Sequence, residues 1–187
     1  MPRTLERFWA TPKNDQFSDK PHVDSKTVVT FLEHHPSMEY IPYPLQRWLD
    51  QVSASDLVST LVKHNRGMRG LNLGDIVLLQ PAQVVELLTK MTALTSWELA
   101  TEEWDLKTLS SLDARVERRV TKVKLYGQGF LDGDFFLLQL YRLYPQLESL
   151  TIGRVYDEEP VQWTFSYRGL AAFVKSCTKL KHVTVTM

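Results

Sequence analysis

The sequence predicts an α/β solenoid, a row of about six irregular helix–strand units whose strands form a parallel sheet on a concave face. Two observations predict it. The first is a spacing of seven positions, h-x-x-h-h-x-x-h-x-x-L-x-x-L-x-L, in which h is an apolar or tolerated residue. It is read at Leu170, Phe173, Val174, Cys177, Leu180, Val183 and Val185, at Leu137, Leu140, Tyr141, Tyr144, Leu147, Leu150 and Ile152, and at Val84, Leu87, Leu88, Met91, Leu94, Trp97 and Leu99. Its first half has helical spacing and its second half ends in strand alternation. The second observation is the period. Strand halves begin at residues 38, 68, 94, 120, 147 and 180, in steps of 30, 26, 26, 27 and 33.

The elements follow in order. Residues 1–23 carry Pro2, Pro12 and Pro21, but also Phe8, Trp9 and Phe17. The first unit of a stack needs its open end covered, so this segment reads as a cap or partly disordered extension and 24–187 as the repeat domain. Asp24 or Ser25 caps the first helix, Pro36 stops it, and Met38, Ile41 and Tyr43 form the first strand. In the second unit Ser55 is the N-cap, and Val58, Leu61, Val62, Asn65, Met68, Leu71 and Leu73 keep the spacing with one polar intruder, Asn65. The longer first step is absorbed by Pro42, Pro44 and Trp48. The fourth helix is out of phase by one residue (Leu109, Leu112, Val116), while its strand is intact at Val120, Val123 and Leu125. Asp134 caps the fifth helix, which Pro145 stops, and Ser166 caps the sixth. Inward residues such as Leu71, Leu73, Leu150 and Ile152 form the core. The last strand, LKHVTVTM, leaves an edge without charge or Pro to protect it, so either a larger complex covers it or the chain continues a longer protein.

The strand halves MRGLNL, LTSWEL, VTKVKL, LESLTI and LKHVTV resemble the L-x-x-L-x-L core of leucine-rich repeats. The period, and SCTKLKHVTV with Cys177 three residues before Leu180, resemble the cysteine-containing subtype of F-box-associated repeats, with the ribonuclease-inhibitor subtype a near neighbour. The resemblance covers residues 24–187. The Asn or Cys that follows each strand in the family is missing from most units, and the helix-end cysteine occurs once. The resemblance implies a scaffold or assembly subunit that binds protein. The alternative it implies is the substrate-recognition part of a ubiquitin ligase. IPYPLQRWLDQVSASDLVSTLVKHN (41–65) resembles an F-box at Ile41–Pro42, Leu45, Trp48–Leu49 and Asp56–Leu57. The same residues also complete the first strand and form the second helix, and the regular unit ending Met68, Leu71, Leu73 favours the repeat reading.

Alternation names the residues of the concave strip: Tyr40, Asn72, Glu98, Lys122, Lys124, Tyr126, Ser149, Thr151, His182 and Thr184. Two loops are expected beside it on one rim. GRVYDEEPVQWTFS (153–166) brings Arg154, Tyr156, the acidic run Asp157–Glu159 and Trp163, and ATEEWDL brings Trp104 among acids. Exposed aromatic residues on loops are binding hot spots, and acids beside them suit a basic partner surface.

The 22 basic and 22 acidic residues balance to zero net charge, which gives no general pull toward nucleic acid or anionic lipid. No apolar run of about 18 residues spans a membrane. MPRTLERFWATPKND lacks the apolar run of a secretory signal, and Glu6 and Asp15 argue against a mitochondrial address. One Cys excludes an internal disulfide framework. Cytoplasm or nucleus is the expected location. YGQGFLDGD (126–134) reads G-x-G-x-x-x-G through Gly127, Gly129 and Gly133, close to a dinucleotide phosphate loop. Against that reading, Asp132 and Asp134 repel phosphate, and Gly153 and Arg154 stand where an acid is required. No ligand spacing for zinc or calcium and no nucleophile signature appears. The chain is therefore expected to be non-enzymatic, with no cofactor and no metal.

Overall fold

The computed structural model describes residues 24–46, 48–74, 77–104, 106–112, 119–127, 129–130, 133–153 and 162–185. The expected cap at 1–23 lies outside them. The chain is α/β. Helices α1 (Ser25–His34), α2 (Tyr43–Gln46) and α3 (Ala54–His64) precede strand β1 (Gly70–Asn72), with a short 3-10 turn at Leu49–Gln51. Then follow β2 (Leu78–Leu79), α4 (Pro81–Lys90), β3 (Ser96–Thr101), β4 (Glu103–Trp104), α5 (Leu106–Ser110), β5 (Lys122–Tyr126) and β6 (Gly129–Phe130). The chain continues through α6 (Gly133–Leu143), β7 (Ser149–Gly153), β8 (Gln162–Trp163), α7 (Tyr167–Ser176) and β9 (His182–Val185).

The main sheet runs β1-β3-β5-β7-β9, every pair parallel, with β2 also on β3. Its register is continuous: Leu71 faces Trp97, Trp97 faces Val123, Val123 faces Leu150, and Leu150 faces Val183. The step between neighbouring strands is therefore the step counted in the sequence. Each connection crosses through a helix, and the helices form a second row, α1 on α3, α3 on α4, α4 on α5, α5 on α6 and α6 on α7. One core lies between the rows. Leu71, Leu73, Trp97, Leu99, Val123, Leu125, Leu150 and Ile152 supply it from the sheet, and Leu32, Leu61, Leu87, Leu109, Leu137 and Leu140 from the helices. Each such side chain, taken out of water, contributes about 1.5–3 kcal/mol.

The caps explain where the helices begin. Asp24 accepts the Thr27 amide at 2.7 Å, and Ser166 accepts that of Gly169 at 2.8 Å. Ser53, rather than Ser55, caps α3 by accepting the Asp56 amide at 3.2 Å. Ser55 sits one position inside the helix, where its hydroxyl accepts from Gln83 Nε2 at 3.2 Å. Asp134 likewise lies inside the first turn of α6 rather than capping it. Its carboxylate accepts from the Ser166 amide at 2.8 Å and hydroxyl at 2.6 Å. These bonds hold the Asp134 carboxyl below the usual carboxylate range.

Three other expectations need correction. The first strand shrinks to a single bridge, Tyr40 to Gly70, because Pro42 and Pro44 have no amide hydrogen for a ladder and the chain turns into α2 instead. A second parallel sheet, β4-β6-β8, was not expected. In the last unit the spacing holds but burial weakens: Val174 is 47% exposed and Val183 and Val185 are only half-buried. The expected fourth helix is the short α5, which ends at Ser110: Leu109 within it and Leu112 just after it are in the core, while Val116 lies outside the described residues.

Cys177 closes α7 and is buried. Loss of solvent around it pushes its thiol up from 9.0 to about 11. Only the thiolate is nucleophilic, so Cys177 is expected to resist a disulfide reagent at neutral pH and to react fully once the chain is unfolded in urea. Fast labelling of the native chain would contradict the burial. The contribution to stability is present below pH 9.0 and is lost as pH rises through about 11, since the unfolded thiol ionises first.

Candidate functional site

The sheet has one face packed on helices, and alternation directs the other side chains of every strand to the opposite face. The continuous register then sorts those residues into rows across the strands. The first row is Tyr40, Gly70, Ser96, Lys122, Ser149 and His182. The second is Asn72, Glu98, Lys124, Thr151 and Thr184. A third, shorter row is Ala100, Tyr126 and Gly153. All the residues expected on the strip thus fall on one face, in register.

Two glycines on this face make room for aromatic rings. The Tyr40 ring occupies the space a Cβ would take at Gly70, and a Cβ at Gly153 would lie 2.9 Å from the Tyr126 ring. Tyr40 remains 53% exposed. Tyr40 lies beside β1 at the amino-terminal ends of the strands, and Tyr126 at the carboxy-terminal end of β5, the central strand.

The cations are not equivalent. Lys124 Nζ sits 2.7 Å from the Glu98 carboxylate, with the two side chains 29% and 16% exposed. Lys122, exposed and flanked by Ser96 and Ser149, has no ion pair among the described residues. Along the amino-terminal ends of the strands, Lys181 reaches Glu148 at 2.8 Å and Lys179 hydrogen-bonds Gln146. The Lys181 hydrogen bond and charge, with a smaller contribution from Lys179, hold the Glu148 carboxyl below its usual range. Arg119 is exposed two residues before Thr121, whose amide is bonded to Thr95 at 2.8 Å. Arg119, Lys179 and Lys181 were not among the expected binding residues. They precede the alternating part of their strands, so alternation does not assign them to the face.

The expected rim divides differently. Trp104 is a correction: it is fully buried, not an exposed anchor. Its indole stacks on Trp97 at a 6.1 Å ring separation, meets Phe136 edge-on at 5.9 Å, and donates from Nε1 to the Tyr126 carbonyl at 2.9 Å. Pairing of β4 with β6 draws it inward, and no amount of acid beside it in sequence can report that. Arg154, Tyr156 and the acidic run 157–159 lie outside the described residues. Trp163 is in β8, its backbone paired with Phe130.

The glycine-rich segment is filled by the chain itself. A Cβ at Gly127 would lie 2.8 Å from Trp104, and one at Gly133 would lie 2.6 Å from the Phe165 ring. The Gly133 amide, at the start of α6, donates to Thr164 Oγ1 at 2.7 Å. These glycines serve close packing, and an amide that a phosphate would need is already bonded. Among the described residues no group of three or more His, Cys, Asp and Glu side chains is placed to hold a metal ion, and no helix is long and apolar enough to cross a membrane. No family model matches the chain, and no curated protein matches it.

Proposed function

We propose that the chain is a solenoid of irregular leucine-rich repeats whose helix-free face recognises a protein, so that it serves as a scaffold or assembly subunit rather than an enzyme. The observation that carries this reading is the register. Tyr40, Ser96, Lys122, Ser149 and His182 form one row, and Asn72, Glu98, Lys124, Thr151 and Thr184 another, on backbone fixed by four consecutive parallel pairings. A surface held by backbone pairing loses little conformational freedom when it binds, which is what a recognition platform requires. Support for reading residues 41–65 as part of the repeat array comes from α3, which packs between α1 and α4 in the same row as the other helices.

The test is substitution of Thr151 by Arg. Thr151 lies mid-row between Lys124 and Thr184 and is only half-buried, so a long cation there obstructs the face without entering the core. The tagged chain is expected to recover a stoichiometric partner from its cell extract, and Thr151→Arg to lose it with an unchanged melting temperature. Retention of the partner by the variant would overturn the face as the binding surface. Recovery of a cullin with its adaptor, insensitive to the substitution, would instead assign residues 41–65 to an F-box.

A further inference from the structure

We infer that the amino-terminal half of the helix-free face, centred on Lys122, takes an acidic peptide segment in extended conformation. The inference rests on the recognition reading above and adds the chemistry of the partner.

The argument starts from charge. Over the whole chain basic and acidic residues cancel, 22 against 22. They do not cancel locally. At the amino-terminal ends of β5, β7 and β9 stand Arg119, Lys122, Lys179 and Lys181, with the exposed His182 beside them. Among the described residues there, Glu148, just before β7, is the carboxylate, and Lys181 already engages it at 2.8 Å. Deeper in the face Glu98 is engaged by Lys124 at 2.7 Å. Lys122 is thus the lysine of the two rows that faces no carboxylate in either neighbouring strand.

Lys122 is also set among donors suited to a carboxylate. Its row neighbours on either side are Ser96 and Ser149, each one strand away, a separation of about 4.8 Å. Both are short and carry a hydroxyl, so no bulky side chain flanks Lys122 within its row. A carboxylate resting on the row can accept from the ammonium and a hydroxyl together, and bonds of that kind are the stronger ones. Tyr40 closes the row at one end with an exposed ring, and His182 ends it at the other. From β1 to β9 the face is about 20 Å wide, the reach of about six extended residues. Nucleic acid is the less suitable occupant. Glu98 and Glu148 lie within the same rows or next to them, and they repel a continuous run of phosphates while leaving room for isolated carboxylates.

The probe is a display library of random peptides of about twelve residues, selected on the immobilised full-length chain. Peptides enriched in Asp and Glu are expected, with affinity falling as salt rises. The same peptides are expected to bind Lys122→Glu about tenfold more weakly or worse and to bind Lys63→Glu, altered on an exposed position of α3, as they bind the unaltered chain. Selection without acidic enrichment, or enrichment that survives Lys122→Glu, would overturn the inference. Tighter binding of a single-stranded oligonucleotide than of the selected peptides would overturn it in favour of nucleic acid. The two readings fail separately. A native partner lost by Thr151→Arg but retained by Lys122→Glu leaves the face as the binding surface and removes only its preference for acids.

Discussion

Replacing Trp104 by Ala is expected to lower folding stability by about 3–5 kcal/mol, the range for truncating a fully buried large aromatic residue. The side chain has no exposed surface and belongs to an aromatic row, Phe136 edge-on to Trp104 at 5.9 Å and Trp104 stacked on Trp97 at 6.1 Å. Beyond the area it buries, it joins the two sheets: it stands in β4, and its indole N–H donates to the carbonyl of Tyr126 at the end of β5. The close approach of Gly127, whose missing Cβ would lie 2.8 Å from the indole, leaves no slack through which the backbone could fill the resulting cavity. Urea unfolding should show a lower midpoint with an unchanged slope. Trp104→Phe should lose less, since it retains a ring for Trp97 and Phe136 but not the hydrogen bond. A loss below about 1 kcal/mol for the alanine variant would be the cost of an exposed residue, and would restore Trp104 to the rim.

Trp104 also marks the boundary of what the sequence makes legible. The apolar spacing reports any element that repeats, because each unit must bury the same positions against its neighbours. Leu71, Trp97, Val123 and Leu150 are therefore legible one by one as core positions, and the pairing of their strands follows, with Val183 half-buried at the sheet edge. The same alternation placed Asn72, Glu98, Lys124 and Thr151 on the opposite face. The elements it misses are those without a period of their own. Strands β4, β6 and β8 are two residues each, too short for alternation to register, and their pairing is what buries Trp104. Tyr43 fits the spacing of the first strand but shares its segment with Pro42 and Pro44, whose missing amide hydrogens override the pattern. Ser53 and Ser55 are equally good caps by residue type, and only the position of the first turn decides between them. Charge is the subtler case. Lys122 and Lys124 look alike in sequence, two residues apart on one strand. Register pairs Lys124 with Glu98 and leaves Lys122 between two serines, with no carboxylate opposite it.

That difference yields the second large effect. Glu98→Lys is expected to destabilise the chain by about 1–3 kcal/mol, because it removes a mostly shielded carboxylate and sets a second ammonium against Lys124. The pair is more than a surface contact: Glu98 is 16% and Lys124 29% exposed, and the residues are directly opposed in adjacent strands. Water screens them less than the more exposed Lys181–Glu148 pair, at 63% and 42%. Like charges directly across two strands oppose the pairing itself. The reversed arrangement, Glu98→Lys with Lys124→Glu, restores the attraction with the same register and should recover most of the loss. A double-mutant cycle measured by urea unfolding isolates the coupling. Additive effects of the two substitutions would mean that the ion pair contributes nothing to stability. A positive coupling would separate the two lysines by role, since Lys122→Glu, with no carboxylate opposite it in either neighbouring strand, should leave stability nearly unchanged.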